Sequence, residues 1–154
     1  MTKTLVTILV LVLGTGACGG KSKSDTAGGS SAAADTRSLY ERLGGKDAIT
    51  AVVKDFVATT GADPRISMFF TNADIPKLEQ QMVDQICEAT GGPCKYTGKS
   101  MKESHTGMKV RAEHFEAFID DLTKTLDKFK VPEREKGEVL AAFRSMQGDV
   151  VENP

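Results

Sequence analysis

The side chains of this 154-residue chain that could carry chemistry are few: two histidines and three cysteines. The histidines are His105 and His114, and the cysteines are Cys18, Cys87 and Cys94. His105 closes the run Gly91-Gly92-Pro93-Cys94-Lys95-Tyr96-Thr97-Gly98-Lys99-Ser100-Met101-Lys102-Glu103-Ser104-His105. There a glycine break and an extended tyrosine segment lead into a short amphipathic turn. A histidine on such a turn is either a solvated or internally bonded side chain, or a metal ligand. Cys87 and Cys94 are spaced too widely for a zinc site, which sets paired cysteines about two to four residues apart. Two readings remain for them: separate thiols, or a disulfide. The disulfide would close a loop of about eight residues and contribute ~2–3 kcal/mol by the chain-entropy model.

The elements that must position these groups begin well after the N-terminus. Lys3 precedes the apolar run Leu5 to Leu13, followed by Gly14-Thr15-Gly16-Ala17 and Cys18. A run about half the ~20 residues of a membrane-spanning helix fits the core of a secretory signal over residues 1–18. The small residues before Cys18 resemble a bacterial lipobox, in which the cysteine becomes the lipid-modified first residue. Thr15 stands where an aliphatic residue is usual, and ordinary cleavage nearby is the alternative. Residues 19–36 are almost entirely small or polar, and read as a flexible linker able to span roughly 55 Å when extended. Lys and Arg number 20 against 21 Asp and Glu, so no basic excess points to nucleic acid.

Residues 37–154 then form one domain. Apolar side chains recur at helical spacing from Ala48 to Val57, from Leu78 to Ile86, from Phe115 to Phe129 and from Val139 to Val150. Ser38 to Leu43 predicts a short helix stopped by Gly44-Gly45. Gly61 and Pro64 end the next, Asp74 caps the one after with Pro76 in its first turn, and Pro132 opens the last. No alternating run is long enough for a sheet, so the fold class is all-α. Periodicity reaches no further: phenylalanines on helix faces are more often plain core than a cofactor pocket.

The motifs in order carry more. Leu39-Tyr40-Glu41-Arg42-Leu43-Gly44-Gly45, Phe69-Phe70, Gly91-Gly92-Pro93, Tyr96-Thr97-Gly98 with Met101 and His105, and His114-Phe115 together resemble the group I truncated haemoglobins. The resemblance covers about Leu39 to Val151. It implies a sandwich of two helices over two, non-covalent haem b, and His105 as the iron ligand with its second ring N–H held by a backbone carbonyl. The absence of Cys-x-x-Cys-His argues against thioether attachment. It further implies that Phe70 packs on the haem, with Phe69 facing the core. Tyr96 and Lys77 would reach its propionates, and Met101, Val110, Phe115 and Phe118 would wall it. His114 is then a packing or capping residue.

On the gas-binding side the family often carries a tyrosine whose hydroxyl donates to the ligand; here that position holds Val57. Leu78, Gln81, Met82 and Gln85 complete the ligand pocket. Met82 is either a soft thioether ligand or, as we read it, an apolar filler. The function implied is reversible binding of a diatomic gas: oxygen, nitric oxide or carbon monoxide. Two alternatives stand beside it. One is a haem enzyme, a nitric oxide dioxygenase or peroxidase-like, served by an unknown reductase. The other is a haem-free interaction lipoprotein. The exported chain is expected to sit at a membrane through its lipid anchor, facing the periplasm or the cell surface.

Overall fold

A computed structural model describes residues 35–152. The expected signal segment over 1–18, Cys18 and most of the 19–36 linker lie outside the described residues. Within them the chain is helical and holds no strand.

The first helix, α1 (Leu39–Arg42), is a single turn made possible by its cap. The Ser38 hydroxyl accepts the Glu41 N–H, and the Glu41 carboxylate accepts the Ser38 N–H at 2.9 Å. Gly44 and Gly45 follow at φ 92° and 77°. This left-handed pair lets α2 (Gly45–Ala62) start at once in a new direction. Along α2 the residues Ile49, Val53, Phe56, Val57 and Thr60 are buried. The helix ends at Ala62, between the Gly61 and Pro64 expected to end it. One glycine costs about 1 kcal/mol in a helix but does not stop it. Pro64 does, by forcing Asp63 into an extended conformation at ψ 115°.

A 3-10 turn at Ser67–Phe69 leads to α3 (Ile75–Ala89). The Asp74 carboxylate caps α3 by accepting the Lys77 N–H at 3.2 Å, and Pro76 sits in its first turn. At its far end Cys87 and Cys94 are joined in a disulfide with Cα atoms 5.7 Å apart. Gly92 has no room for a side chain, since a Cβ there would lie 2.8 Å from the Cys87 carbonyl oxygen.

The last helix, expected to be one, is two. After α4 (Met101–His105) and α5 (Ala112–Lys128), the last apolar stretch divides into α6 (Glu133–Ser145) and α7 (Gln147–Val150). The chain tightens at Met146, whose N–H returns to the Phe143 carbonyl three residues back. This break lets α7 lie against α4. Phe129, expected on the apolar face, falls just past the end of α5 and is 39% exposed.

The two long pairs are α2 with α3 and α5 with α6, and α2 also packs on α5. This is the two-over-two helical sandwich. One core cluster joins Ile49, Val53, Val57 and Val83; the other joins Phe56, Leu122, Leu126 and Val139. The ring of Phe118 stands edge-on to that of Phe56 at 4.8 Å.

Arg42 ties α1 to α6. Its Nε donates to the Glu135 carboxylate at 2.8 Å, its other end reaches Glu138, and only 8% of its side chain is exposed. Removing the guanidinium would strand a nearly buried carboxylate. We expect Arg42→Ala to cost about 3 kcal/mol, and Arg42→Ala with Glu135→Leu to recover much of it. Urea unfolding of the apoprotein measures both; equal stability of the three proteins would show the bridge to be idle.

Candidate functional site

Between the two helix pairs lies a cavity of about 310 Å³. That is within the size range of small-molecule sites. Among the described residues no Asp, Glu, Lys or Arg lines it. One wall is α3, through Leu78, Gln81, Met82 and Gln85. The facing wall is α4 and the loops around it, through Tyr96, Met101, Ser104, His105, Met108 and Val110. Phe115 and Phe118 of α5 form the back, joined by Phe143 and Met146, and Phe69 and Phe70 close one end.

His105 enters this cavity from α4. The helix is short, and a capping box starts it: the Ser100 hydroxyl accepts the Glu103 N–H, and the Glu103 carboxylate accepts the Ser100 N–H at 3.0 Å. The Ser100 hydroxyl, which donates to the Glu103 carboxylate at 2.7 Å, and the Ser100 N–H together hold that carboxyl below its ordinary range. The Nδ1 of His105 lies 2.8 Å from the Met101 carbonyl oxygen. A carbonyl only accepts, so Nδ1 carries a proton, and the neutral imidazole in this tautomer keeps its lone pair on Nε2. That is the state an imidazole needs to bind a metal.

His114 also borders the cavity, but its ring is engaged otherwise. Its Nδ1 accepts the Arg111 N–H at 3.1 Å, capping α5, and its ring stands edge-on to Phe69 at 5.1 Å. This is the packing and capping role expected of it.

Three expected positions differ in the structure. Val57 is not in the cavity lining. It is 3% exposed and sits in the core cluster against which Leu78 and Met82 pack, because a short apolar side chain on α2 is better buried there. Lys77 is exposed on the first turn of α3 and does not line the cavity; a long charged side chain keeps its head in water. Phe69, expected in the core, borders the cavity instead and packs on His114. Tyr96 lines the cavity with its ring, but its hydroxyl donates to the Lys99 carbonyl at 2.7 Å, so the loop itself takes up that donor. Burial pushes the Tyr96 phenol up from its ordinary value.

Sequence reasoning missed Met108, Phe143 and Met146 as cavity residues. Phe143 and Met146 were already on an apolar helix face, which carried no sign of whether it met core or cavity. Ser100 and Glu103 were legible as Ser-x-x-Glu, a capping-box signature. Gln85 donates from Nε2 toward the Met146 sulfur at 3.6 Å, a weak acceptor that leaves the amide nearly free.

Residues 38–152 match the family described as Bacterial-like globin. The chain is 34% identical over 115 residues to the group 1 truncated haemoglobin of Tetrahymena pyriformis, covering 75% of this chain and 95% of that protein. It belongs to the group 1 truncated haemoglobins. The crystal structure of the Tetrahymena pyriformis protein in its Fe(III) form superposes with a TM-score of 0.72 at 33% identity, over 76% of this chain and all of that one. The 2/2 haemoglobin of a Synechococcus species, solved in the cyanomet state with covalently attached haem, gives 0.71 at 32% identity, over 76% of this chain and all of that one.

The residues of this truncated haemoglobin fit haem on physical grounds. A flat apolar macrocycle needs aromatic and aliphatic walls free of buried charge, and an axial nitrogen of fixed tautomer. The cavity has both in Phe70, Phe115, Phe118 and His105. We expect His105→Gly to lose stable haem, with added imidazole restoring it, while His114→Ala keeps the Soret band. Absorbance during titration of the apoproteins decides; the reverse pattern would make His114 the ligand.

Proposed function

We propose that this truncated haemoglobin binds haem b non-covalently and uses it to bind a diatomic gas reversibly. Haem iron supplies the gas-binding centre, and the chain supplies everything around it. The single observation that carries the reading is His105, with Nδ1 held by the Met101 carbonyl and its ring facing an uncharged cavity. Two features favour non-covalent attachment. The chain has no Cys-x-x-Cys-His, and Cys87 and Cys94 are bonded to each other, so neither is free to attach the macrocycle.

The distal wall sets which gas is favoured. Leu78 and Met82 exclude water and offer no donor, and only the amides of Gln81 and Gln85 face the cavity from α3. Oxygen gains negative charge when it binds and is stabilised by a donor, whereas carbon monoxide gains little. A missing hydrogen bond is worth on the order of 1–3 kcal/mol, or roughly 5- to 150-fold in affinity. Discrimination for oxygen over carbon monoxide therefore rests on the Gln81 and Gln85 amides, the donors that α3 offers to the cavity.

We also propose export and lipid anchoring at Cys18, with the globin domain held off the membrane by the linker. The short apolar run, the small residues before Cys18 and the composition of residues 19–36 support this. No helix among the described residues is long and apolar enough to cross a membrane. Mass spectrometry of the mature N-terminus tests it: a diacylated Cys18 is expected, lost in Cys18→Ser, and cleavage elsewhere would overturn it.

An optical spectrum of the reconstituted ferrous protein, with and without carbon monoxide, tests the main reading. A Soret band that shifts with the gas is expected; a protein that takes up no haem would overturn it. Leu78→Gln should then place a donor on the wall and slow oxygen release roughly 5- to 100-fold, with carbon monoxide release nearly unchanged. Stopped-flow release of both gases measures this. Equal slowing of the two would mean the longer side chain merely obstructs the exit.

A further inference from the structure

The helix that carries His105 buries none of its residues. Five residues are also far too few to hold a helix by themselves in water. Its place is therefore set by its packing on α7 and by what ties its ends. The first end has the Ser100–Glu103 capping box. The second end runs into the loop Thr106 to Arg111, and one distant side chain holds that loop.

That side chain is Glu152. One carboxylate oxygen accepts the Gly107 N–H at 2.6 Å, and the other accepts the Lys109 N–H. The Glu152 N–H in turn donates to the Val110 carbonyl at 2.8 Å. Three bonds thus bind the loop to the strand of chain just past α7. The loop also connects directly to the histidine, since the Met108 N–H donates to the His105 carbonyl at 3.0 Å.

The backbone of this loop is one the chain would not adopt unaided. Gly107 has φ 86° and Lys109 has φ 56°. Glycine tolerates that region, but a lysine avoids it because its Cβ crowds the following carbonyl. Something must hold Lys109 there, and the only side chain recorded on its N–H is the Glu152 carboxylate. The same turn sends Met108 and Val110, on either side of Lys109, into the cavity lining.

We propose that Glu152 is the positioning residue of the proximal side: by clamping residues 107–110 it fixes the placement of His105 and so governs how tightly haem is kept. This rests on the haem reading above. Glu152 is not among the residues that line the cavity, and its carboxylate bonds the loop rather than His105. Both carboxylate oxygens are needed, because each accepts from a different N–H. Glutamine at this position would turn one of those acceptors into a donor facing a donor. Glu152→Gln should therefore fail nearly as badly as Glu152→Ala, although it preserves size.

The test compares wild type with Glu152→Ala, Glu152→Gln and, as a control on the same stretch of chain, Asp149→Asn, an exposed residue of α7. In the apoproteins, amide exchange at Gly107 and Lys109 should be at least tenfold faster in both Glu152 variants. Exchange at Leu122 and Leu126 should stay unchanged, showing that the core is intact. In the haem-loaded proteins, transfer to excess apomyoglobin should be about tenfold faster. The resonance Raman iron–histidine band of the ferrous protein should shift or broaden. Asp149→Asn should match wild type throughout. Wild-type rates and an unmoved band in both Glu152 variants would overturn the clamp while leaving the haem reading standing. Faster exchange throughout the core would overturn it as well, by making Glu152 a residue of general stability. A wild-type protein that takes up no haem would instead overturn the haem reading, and this assignment with it.

Discussion

An apolar cavity of about 310 Å³ is costly to keep open in a domain of this size. Its walls forgo the dispersion contacts that a close-packed interior would give them, and a flexible chain would collapse to regain them. The rest of the fold can be understood as resistance to that collapse. One buried cluster joins α2 to α3, and the other joins α2, through Phe56, to α5 and α6, so the long helices are packed together away from the cavity. Phe118 joins the two requirements: one edge of its ring packs on Phe56 in the core, and it also lines the cavity. A ligand that fills the space restores the missing contacts, which makes haem a structural component as well as a chemical one.

The two sides of the cavity are held by different physics. The distal wall is a long helix whose position follows from burial of Val83 and Cys87 and from packing on α2. The proximal wall is a five-residue helix without a buried residue, packed on α7 and aimed by hydrogen bonds at its ends. Burial gives firm but nonspecific support, whereas hydrogen bonds to backbone N–H groups fix direction. A metal ligand needs direction above all, since a small rotation of the ring takes the Nε2 lone pair off its target. The sequence therefore spends polar side chains on the histidine and apolar ones on the gas.

How much of this was legible beforehand follows the same division. Features that depend on local sequence could be read directly: the helices, the Asp74 cap, the double-glycine breaks and the all-α class. Residues on a helix face were also legible as apolar, but not which apolar residue faces core and which faces cavity. Val57 and Phe69 exchange those roles because both surroundings are apolar, and periodicity carries no information that separates them. The resemblance to truncated haemoglobins supplied His105, Phe70 and the cavity-lining face of α3. What lay beyond both was any contact between distant parts of the chain. Arg42 with Glu135, and Glu152 with Gly107, pair ordinary charged residues whose partners are set by the fold rather than by spacing.

The disulfide connects the two sides of the cavity. Cys87 sits two residues before the end of α3, the helix that carries Leu78, Met82 and Gln85. Cys94 sits two residues before Tyr96, where the chain begins to line the opposite wall. The bond thus anchors the start of the proximal segment to the end of the distal helix. The same junction is held further by the Tyr96 N–H donating to the Glu88 carboxylate at 3.0 Å, and by a Gly92 that leaves no room for a side chain. The proximal segment is in this way fixed at three places: by a covalent bond where it leaves α3, by a capping box where α4 begins, and by a carboxylate where α4 ends. Between those points lie only the residues that face the cavity and the short turns that carry them. A segment with no core of its own can be accurate when its fixed points are this closely spaced, because the conformations left to it between them are few.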